Sequence, residues 1–219
     1  MALRDVHHRP LKDLRISVTD RCNFRCTYCM PREHFGSDHD FLPRNELLSY
    51  EEITFVVDSL MNCGLQKVRL TGGEPLLRRD LTDLVSMLRQ AGPELDLAMT
   101  TNGALLKNHA ESLREAGLDR VTVSLDAVEP ETFQAMADTE QVDPEAIFAG
   151  IKEAQRAGLT VKVNTVVRKG VNEDQILPLA RICLQHNIPL RFIEYMDVGN
   201  TNAWKLDEVI TGAEIRHII

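Results

Sequence analysis

Three thiols fall within eight residues, in the stretch Cys22-Asn23-Phe24-Arg25-Cys26-Thr27-Tyr28-Cys29. Thiolates spaced C-x3-C-x2-C can each ligate one iron of a cubane [4Fe–4S] cluster, which leaves the fourth iron open to a bidentate small molecule. The same cysteines also admit a zinc site completed by His34 or His39, although zinc knuckles usually use two short paired spacings and the second pair is missing here. The remaining cysteines, Cys63 and Cys183, lie apart in predicted helices on the outside of the fold and read as buried structural thiols. An odd total of five, three of them clustered, argues against a disulfide framework.

A second set of chemically capable residues recurs at alternate positions of apolar runs. Arg15, Ser17 and Thr19 alternate with Leu14, Ile16 and Val18, and Arg69 and Thr71 with Val68 and Leu70. Thr122, Ser124 and Asp126 alternate with Val121, Val123 and Leu125, and Lys162 and Asn164 with Val161 and Val163. Strands of parallel sheets are normally apolar on both faces, so this polar parity must face something wet. Buried cations need partners. Arg15, Arg69 and Lys162 in one cavity suit a polyanion such as a phosphate chain; ion pairs with neighbouring carboxylates are the alternative.

The elements that must position these groups alternate regularly. Strands are predicted over 11–19, 67–71, 95–100, 120–126, 160–166 and 190–195. Helices are predicted over 49–63, 80–91, 105–116, 144–157 and 173–186, with a last one from 213 that the capping-box pattern Thr211-x-x-Glu214 would open. Gly64, Gly92, Gly117 and Gly158 each follow a helical pattern and are expected to be left-handed caps. Strand–helix repeats with short links imply parallel strands and right-handed crossovers. A closed eight-stranded barrel fills its interior with branched apolar side chains. The polar parity therefore predicts a partial (β/α)6 TIM-type barrel of class α/β with a solvated lumen, forming one domain over residues 1–219.

The chain has 219 residues, 43% hydrophobic and 26% charged, with a formal net charge of −8. That is globular composition with material for a sizeable core. The acidic balance argues against a non-specific nucleic-acid or anionic-membrane binder. Neither a membrane-length apolar run nor a secretory h-region is present, so a cytoplasmic location is expected.

The segment Asp20-Arg21-Cys22-Asn23-Phe24-Arg25-Cys26-Thr27-Tyr28-Cys29-Met30-Pro31 resembles the cluster loop of the radical S-adenosylmethionine (SAM) superfamily. Later segments are similar to its GTP 3′,8-cyclases, which open molybdenum cofactor (molybdopterin) biosynthesis. They are Val68-Arg69-Leu70-Thr71-Gly72-Gly73-Glu74-Pro75-Leu76-Leu77-Arg78, Thr100-Thr101-Asn102-Gly103, Val123-Ser124-Leu125-Asp126-Ala127, Val161-Lys162-Val163-Asn164 and Arg191-Phe192-Ile193-Glu194-Tyr195-Met196-Asp197-Val198-Gly199-Asn200. The resemblance runs in order from about residue 11 to 205.

It implies that Cys22, Cys26 and Cys29 hold a [4Fe–4S] cluster whose open iron chelates SAM, and that Tyr28, Gly73, Ser124 and Met196 bind SAM. Gly72-Gly73-Glu74-Pro75 resembles the element that receives the methionine amine, and glycines there let backbone carbonyls approach the ligand. No Gly-Lys-[Ser/Thr] follows, so this is not a phosphate loop. Arg15, Arg69, Thr100 and Lys162 match GTP-binding positions. The implied lyase reaction starts with one-electron cleavage of SAM to a 5′-deoxyadenosyl radical. That radical takes the 3′ hydrogen of GTP, and C3′ then joins C8 of guanine to give (8S)-3′,8-cyclo-7,8-dihydroguanosine 5′-triphosphate. An electron donor is implied as a partner.

The family's chain is longer by about a third and carries a second cluster on three further cysteines. That cluster cannot be built from Cys63 and Cys183, so the C-terminal part of the family is expected to be absent. The flank left by six uncapped strands is read as a surface for self-association, as in a homodimer, or for a partner. The competing readings are a radical SAM enzyme for another substrate, a fragment that binds cluster and nucleotide without turnover, and a zinc-stabilised nucleotide-binding barrel.

Overall fold

The computed structural model describes residues 4–196 and 204–219. Six strands form one parallel sheet in the order β1-β2-β3-β4-β5-β6: β1 Asp13–Ser17, β2 Lys67–Thr71, β3 Asp96–Thr101, β4 Arg120–Ser124, β5 Thr160–Val167 and β6 Leu190–Glu194. The helices among the described residues are α1 Tyr50–Met61, α2 Leu81–Ala91, α3 Leu106–Glu115, α4 Pro130–Ala137, α5 Pro144–Arg156, α6 Ile176–Gln185 and α7 Gly212–Ile218. Six parallel strands joined through helices, with a polar cavity on one face of the sheet, make the partial barrel that the alternation predicts. Among the described residues no helix is long and apolar enough to cross a membrane.

The apolar parity packs against the helices. Val68, Leu70, Leu97, Met99, Val121, Val123, Val161 and Val163 are all buried with Leu84, Leu88, Leu113 and Ile151 of the covering helices. Thr211 closes the expected capping box with Glu214, and Ser49 closes a second one with Glu52 at the start of α1.

Three expectations need correction. Gly92 is not a left-handed cap: its φ is −135°, whereas Gly64, Gly117 and Gly158 have φ of 103°, 107° and 85°. It precedes Pro93, which pushes the preceding residue out of helical ψ, and a Cβ there would stand 2.5 Å from Leu95 Cδ1 and 2.7 Å from Met61 Sδ. Cys63 lies beyond α1 and is only half-buried; Cys183 is buried in α6, and burial pushes its thiol up to about 11. Thr19 and Asp126 do not face a wet lumen. Both lie past the ends of their strands, where parity lapses, and both are buried.

The sequence pattern did not reveal α4. It is only eight residues long and ends on Asp138 with φ 45° rather than on glycine. Its start was legible: Pro130 sits in the first turn, and the Glu129 carboxylate accepts hydrogen bonds from the Glu131 and Thr132 N–H groups. This helix anchors the cysteine loop. Arg25 N–H donates to Ala137 O at 3.1 Å, Thr27 N–H donates to Met136 O at 3.1 Å, and the Phe24 ring meets Phe133 edge-on at 6.0 Å. Phe133→Ala is expected to cost about 3–5 kcal/mol, read by chemical denaturation, and to lower the iron retained per chain after reconstitution.

Candidate active site

The cysteine loop leaves the C-terminal end of β1. Its turn is set by the Cys26 carbonyl, which accepts from Cys29 N–H at 2.9 Å and Met30 N–H at 3.0 Å. Cys22 and Cys26 are half-buried and Cys29 is exposed. Burial raises all three thiols, and the charges of the other two cysteines raise Cys26 further. Thiols held protonated in this way bind a cation by exchanging it for the proton. Three soft donors on one loop fit, by their chemistry, a cluster with a thiolate on each of three irons. Among the described residues no three His, Cys, Asp or Glu side chains converge on a single ion. The His39 ring packs between two aromatic rings, tilted against Phe35 at 4.8 Å and edge-on to Phe41 at 4.7 Å.

Two glycines lock this loop to the end of β2. A Cβ on Gly72 would lie 2.4 Å from Thr19 O, and one on Gly73 would lie 2.2 Å from Arg21 O. Gly73 N–H donates to Thr19 O at 2.7 Å and Glu74 N–H to Arg21 O at 2.8 Å. The close approach these glycines permit is therefore to the chain entering the cysteine loop. Glu74, 1% exposed, accepts from Thr101 Oγ1 at 2.8 Å, Asn102 N–H at 2.7 Å and Leu76 N–H at 3.0 Å. Burial raises its carboxyl above the ordinary range. Asn102 in turn reaches Asn23 Oδ1 at 2.8 Å and lies 3.8 Å from Cys22 Sγ. The sequence reading assigned Glu74 no role, and its position inside the Gly-Gly-Glu-Pro stretch was the available signal.

The other candidate residues stand around the same end of the sheet. Tyr28 donates its hydroxyl to Asp126 Oδ2 at 2.6 Å, and Asp126 Oδ1 accepts from Val166 N–H at 2.8 Å. Ser124 ends β4, half-buried and paired in register with Asn164. Met196 lies just past β6 and is 54% exposed. Asp197, Val198, Gly199 and Asn200 of the last motif lie outside the described residues.

Within the sheet lies a cavity of about 700 Å³ lined by Arg15, Arg69, Thr100 and Lys162 together with Lys67, Arg120, Thr122 and Arg191. All four nucleotide-site candidates are thus brought together. Arg69 donates to Thr100 Oγ1 and Thr122 Oγ1, each at 3.1 Å. Partial desolvation and the neighbouring Arg15 and Arg120 charges lower Arg69, and desolvation with Arg191 and Arg69 lowers Lys162. Six cations crowd this space, which favours a highly charged anion. The sequence reading missed Lys67, Arg120 and Arg191. Lys67 and Arg120 share the parity of Arg69 and Thr122, two residues earlier on the same strands, and Arg191 on β6 is signalled only by its place in the last strand.

Residues 16–183 match the Radical SAM superfamily. The chain is 54% identical over 214 residues to a GTP 3′,8-cyclase of Acidothermus cellulolyticus, covering 97% of this chain and 59% of that protein. It is 49% identical to a GTP 3′,8-cyclase of Staphylococcus haemolyticus, covering 99% of this chain and 64% of that one. The chain thus spans about three-fifths of the length of these curated relatives. Among solved structures it resembles Streptococcus suis SuiB bound to S-adenosylmethionine, with TM-score 0.77, 18% identity and coverage of 95% of this chain and 46% of that one. It also resembles methylornithine synthase (PylB), with TM-score 0.69, 17% identity and coverage of 95% and 61%.

Proposed function

The chain belongs to the Radical SAM superfamily, and on that premise we propose that it carries the chemistry of a GTP 3′,8-cyclase, turning GTP into (8S)-3′,8-cyclo-7,8-dihydroguanosine 5′-triphosphate. The observation that carries this reading is the basic cavity. Arg15, Arg69, Thr100 and Lys162, separated by up to 147 positions in the chain, line one space beside the strand that delivers the cysteine loop.

In this reading Cys22, Cys26 and Cys29 hold a [4Fe–4S] cluster, and Tyr28, Gly73, Ser124 and Met196 receive S-adenosylmethionine. Bound together, these groups supply a carbon-centred radical able to take a hydrogen atom from an unactivated C–H bond. The chain's own residues do the rest. Arg15, Arg69 and Lys162 bind the triphosphate, and the Thr100 hydroxyl orients the Arg69 guanidinium toward it. Fixing the charged end of the nucleotide on rigid strands positions the ribose, which is where proximity lowers the barrier. Glu74 ties the loops after β2 and β3 together so that the cysteine loop rests on a fixed seat. Hydrogen abstraction requires no acid–base pair.

The test is anaerobic. The chain is reconstituted with iron and sulfide, reduced, and given S-adenosylmethionine with and without GTP, and 5′-deoxyadenosine and cyclised nucleotide are quantified by mass spectrometry. Formation of both, dependent on GTP, is the expected result. Deoxyadenosine without the nucleotide product would move the reading to another substrate or to a unit needing the remaining two-fifths of its relatives. Neither product from cluster-loaded chain would leave a binding scaffold.

A further inference from the structure

Asn102 belongs to the motif segment Thr100-Thr101-Asn102-Gly103 and follows the last residue of β3. Its main-chain N–H serves the Glu74 seat at 2.7 Å, which leaves the side-chain amide to be accounted for. The orientation of that amide is fixed from its oxygen end. Asn102 Oδ1 accepts from Ala104 N–H at 3.0 Å, so Nδ2 must point the other way, toward the cysteine loop. Nδ2 carries two hydrogens. It donates to Asn23 Oδ1 at 2.8 Å and stands 3.8 Å from Cys22 Sγ, within the longer reach of a hydrogen bond to sulfur. The same sulfur faces Phe24 N–H at 3.4 Å. Two N–H dipoles from different segments thus converge on the first thiol of the loop, at a half-buried position where water screens them only in part.

A capping role does not explain the residue. The bond from Ala104 N–H makes an Asx turn, which aspartate or serine would support as well, with no amide hydrogens to place. Holding two loops together explains the donation to Asn23 but leaves the second amide hydrogen, and that one has the Cys22 sulfur within reach. A donor aimed at a cysteine sulfur stabilises it more as it gains negative charge.

We propose that Asn102 is a positioning residue acting through Cys22: its amide N–H donates to the thiolate and raises the reduction potential of the cluster held there. The proposal rests on the [4Fe–4S] assignment of the cysteine loop made above. The step concerned is a one-electron transfer. An external low-potential donor loses one electron, the [4Fe–4S]²⁺ core becomes [4Fe–4S]⁺, and no proton or atom moves. The added charge is shared between iron and the cysteine sulfurs, and the Asn102 amide meets the share on Cys22.

The experiment reads the potential of the reconstituted chain from the EPR signal of the reduced cluster, across a series of poised potentials. Iron, sulfide and melting temperature are measured on the same samples. Asn102→Ser keeps an oxygen for Ala104 N–H but is too short to donate to the sulfur. It is expected to load iron like wild type and to be harder to reduce by about tenfold in the equilibrium constant, which is about 59 mV for one electron. Asn102→Asp covers the case in which Asn102→Ser does not load. It is isosteric, keeps the Ala104 bond, sets an acceptor and a negative charge against the sulfur, and is expected to fall further. Both variants are expected to lose one exchangeable-hydrogen coupling to the cluster in ENDOR spectra compared between H2O and D2O, which added charge alone would not remove. Thr101→Val is the structural control. It loses the bonds to Glu74 Oε1 and from Gly103 N–H, loosens the same loop and touches no sulfur, so its melting temperature is expected to fall with the potential unmoved. Asn102 variants that load iron and keep the wild-type potential would overturn the proposal. So would loss of iron in both of them, or a Thr101→Val potential that falls as far as that of Asn102→Ser. A wild-type chain that holds no cluster would overturn this proposal together with the cysteine assignment beneath it. A shifted potential in a loaded chain that leaves GTP unchanged would keep Asn102 in this role and move only the substrate.

Discussion

Cys26→Ser is expected to leave a folded chain that retains little iron after reconstitution and forms 5′-deoxyadenosine at least about 10³-fold more slowly than wild type. Serine keeps the backbone carbonyl that receives the Cys29 and Met30 N–H groups, so the turn itself survives. What is lost is a soft, ionisable donor: a hydroxyl does not become an alkoxide where a thiol becomes a thiolate. The residue is also the most strongly perturbed of the three, raised well above the ordinary thiol range by burial first and then by the charges of Asp126, Cys22 and Cys29. The measurements are iron and acid-labile sulfide per chain, with deoxyadenosine yield. Cys63→Ser, on the half-exposed thiol beyond α1, is the control and is expected to match wild type in both. A Cys26→Ser chain that loads about four irons and turns over S-adenosylmethionine would end the assignment of the cysteine loop.

Gly73→Ala is the second large effect, and its cause is backbone rather than ligand. The added Cβ would meet Arg21 O at 2.2 Å, Arg21 C at 2.5 Å and Asp20 O at 2.9 Å, all main-chain atoms that cannot rotate away. The chain entering Cys22 must therefore shift, breaking the Gly73–Thr19 and Glu74–Arg21 hydrogen bonds. Two hydrogen bonds at about 1 kcal/mol each and overpacking of about 1–3 kcal/mol give a loss of roughly 3–5 kcal/mol. For a chain of this size that is a fall in melting temperature of about 6–20 °C. Iron content should fall with it, because the displaced segment carries the first ligand. Gly170→Ala separates the causes: nothing lies within 4 Å of a Cβ there, so only the left-handed φ of 76° is strained, at about 1 kcal/mol. Equal melting temperatures for the two variants would show that the contact between the loops is not what Gly73 serves.

Much of the architecture was legible because period and punctuation are local. The alternation in β2, β4 and β5 separates core from cavity residue by residue, and the predicted strands lie within about two residues of those found. The cysteine loop was legible because three thiols at that spacing have few other uses. Illegible were features made by register between distant strands. Nothing near Asp96 in the sequence says that it stands beside Lys67 and Arg120, since those pairings arise only when β2, β3 and β4 align. Glu74 was hidden likewise: a carboxylate in a loop reads as solvated until Thr101 and Asn102 are folded over it. Thr19 and Asp126 misled because period two was extended past the strand ends, where side-chain direction is set by turns instead. Cys63 misled because the helix before it stops two residues early.

The strand order of this sheet has a consequence for how the chain is made. Each strand pairs with the one synthesised just before it, so no strand waits for a partner still to be translated. The sheet can be laid down in the order of synthesis, one strand–helix unit docking on the last, with loop-closure costs confined to neighbouring units. The like charges of the lumen then arrive in a favourable sequence. Lys67 pairs with Asp13, already in place, and Asp96 is laid beside Lys67 before Arg120 emerges. The nascent barrel thus never has to hold Arg120 without a counter-charge waiting for it.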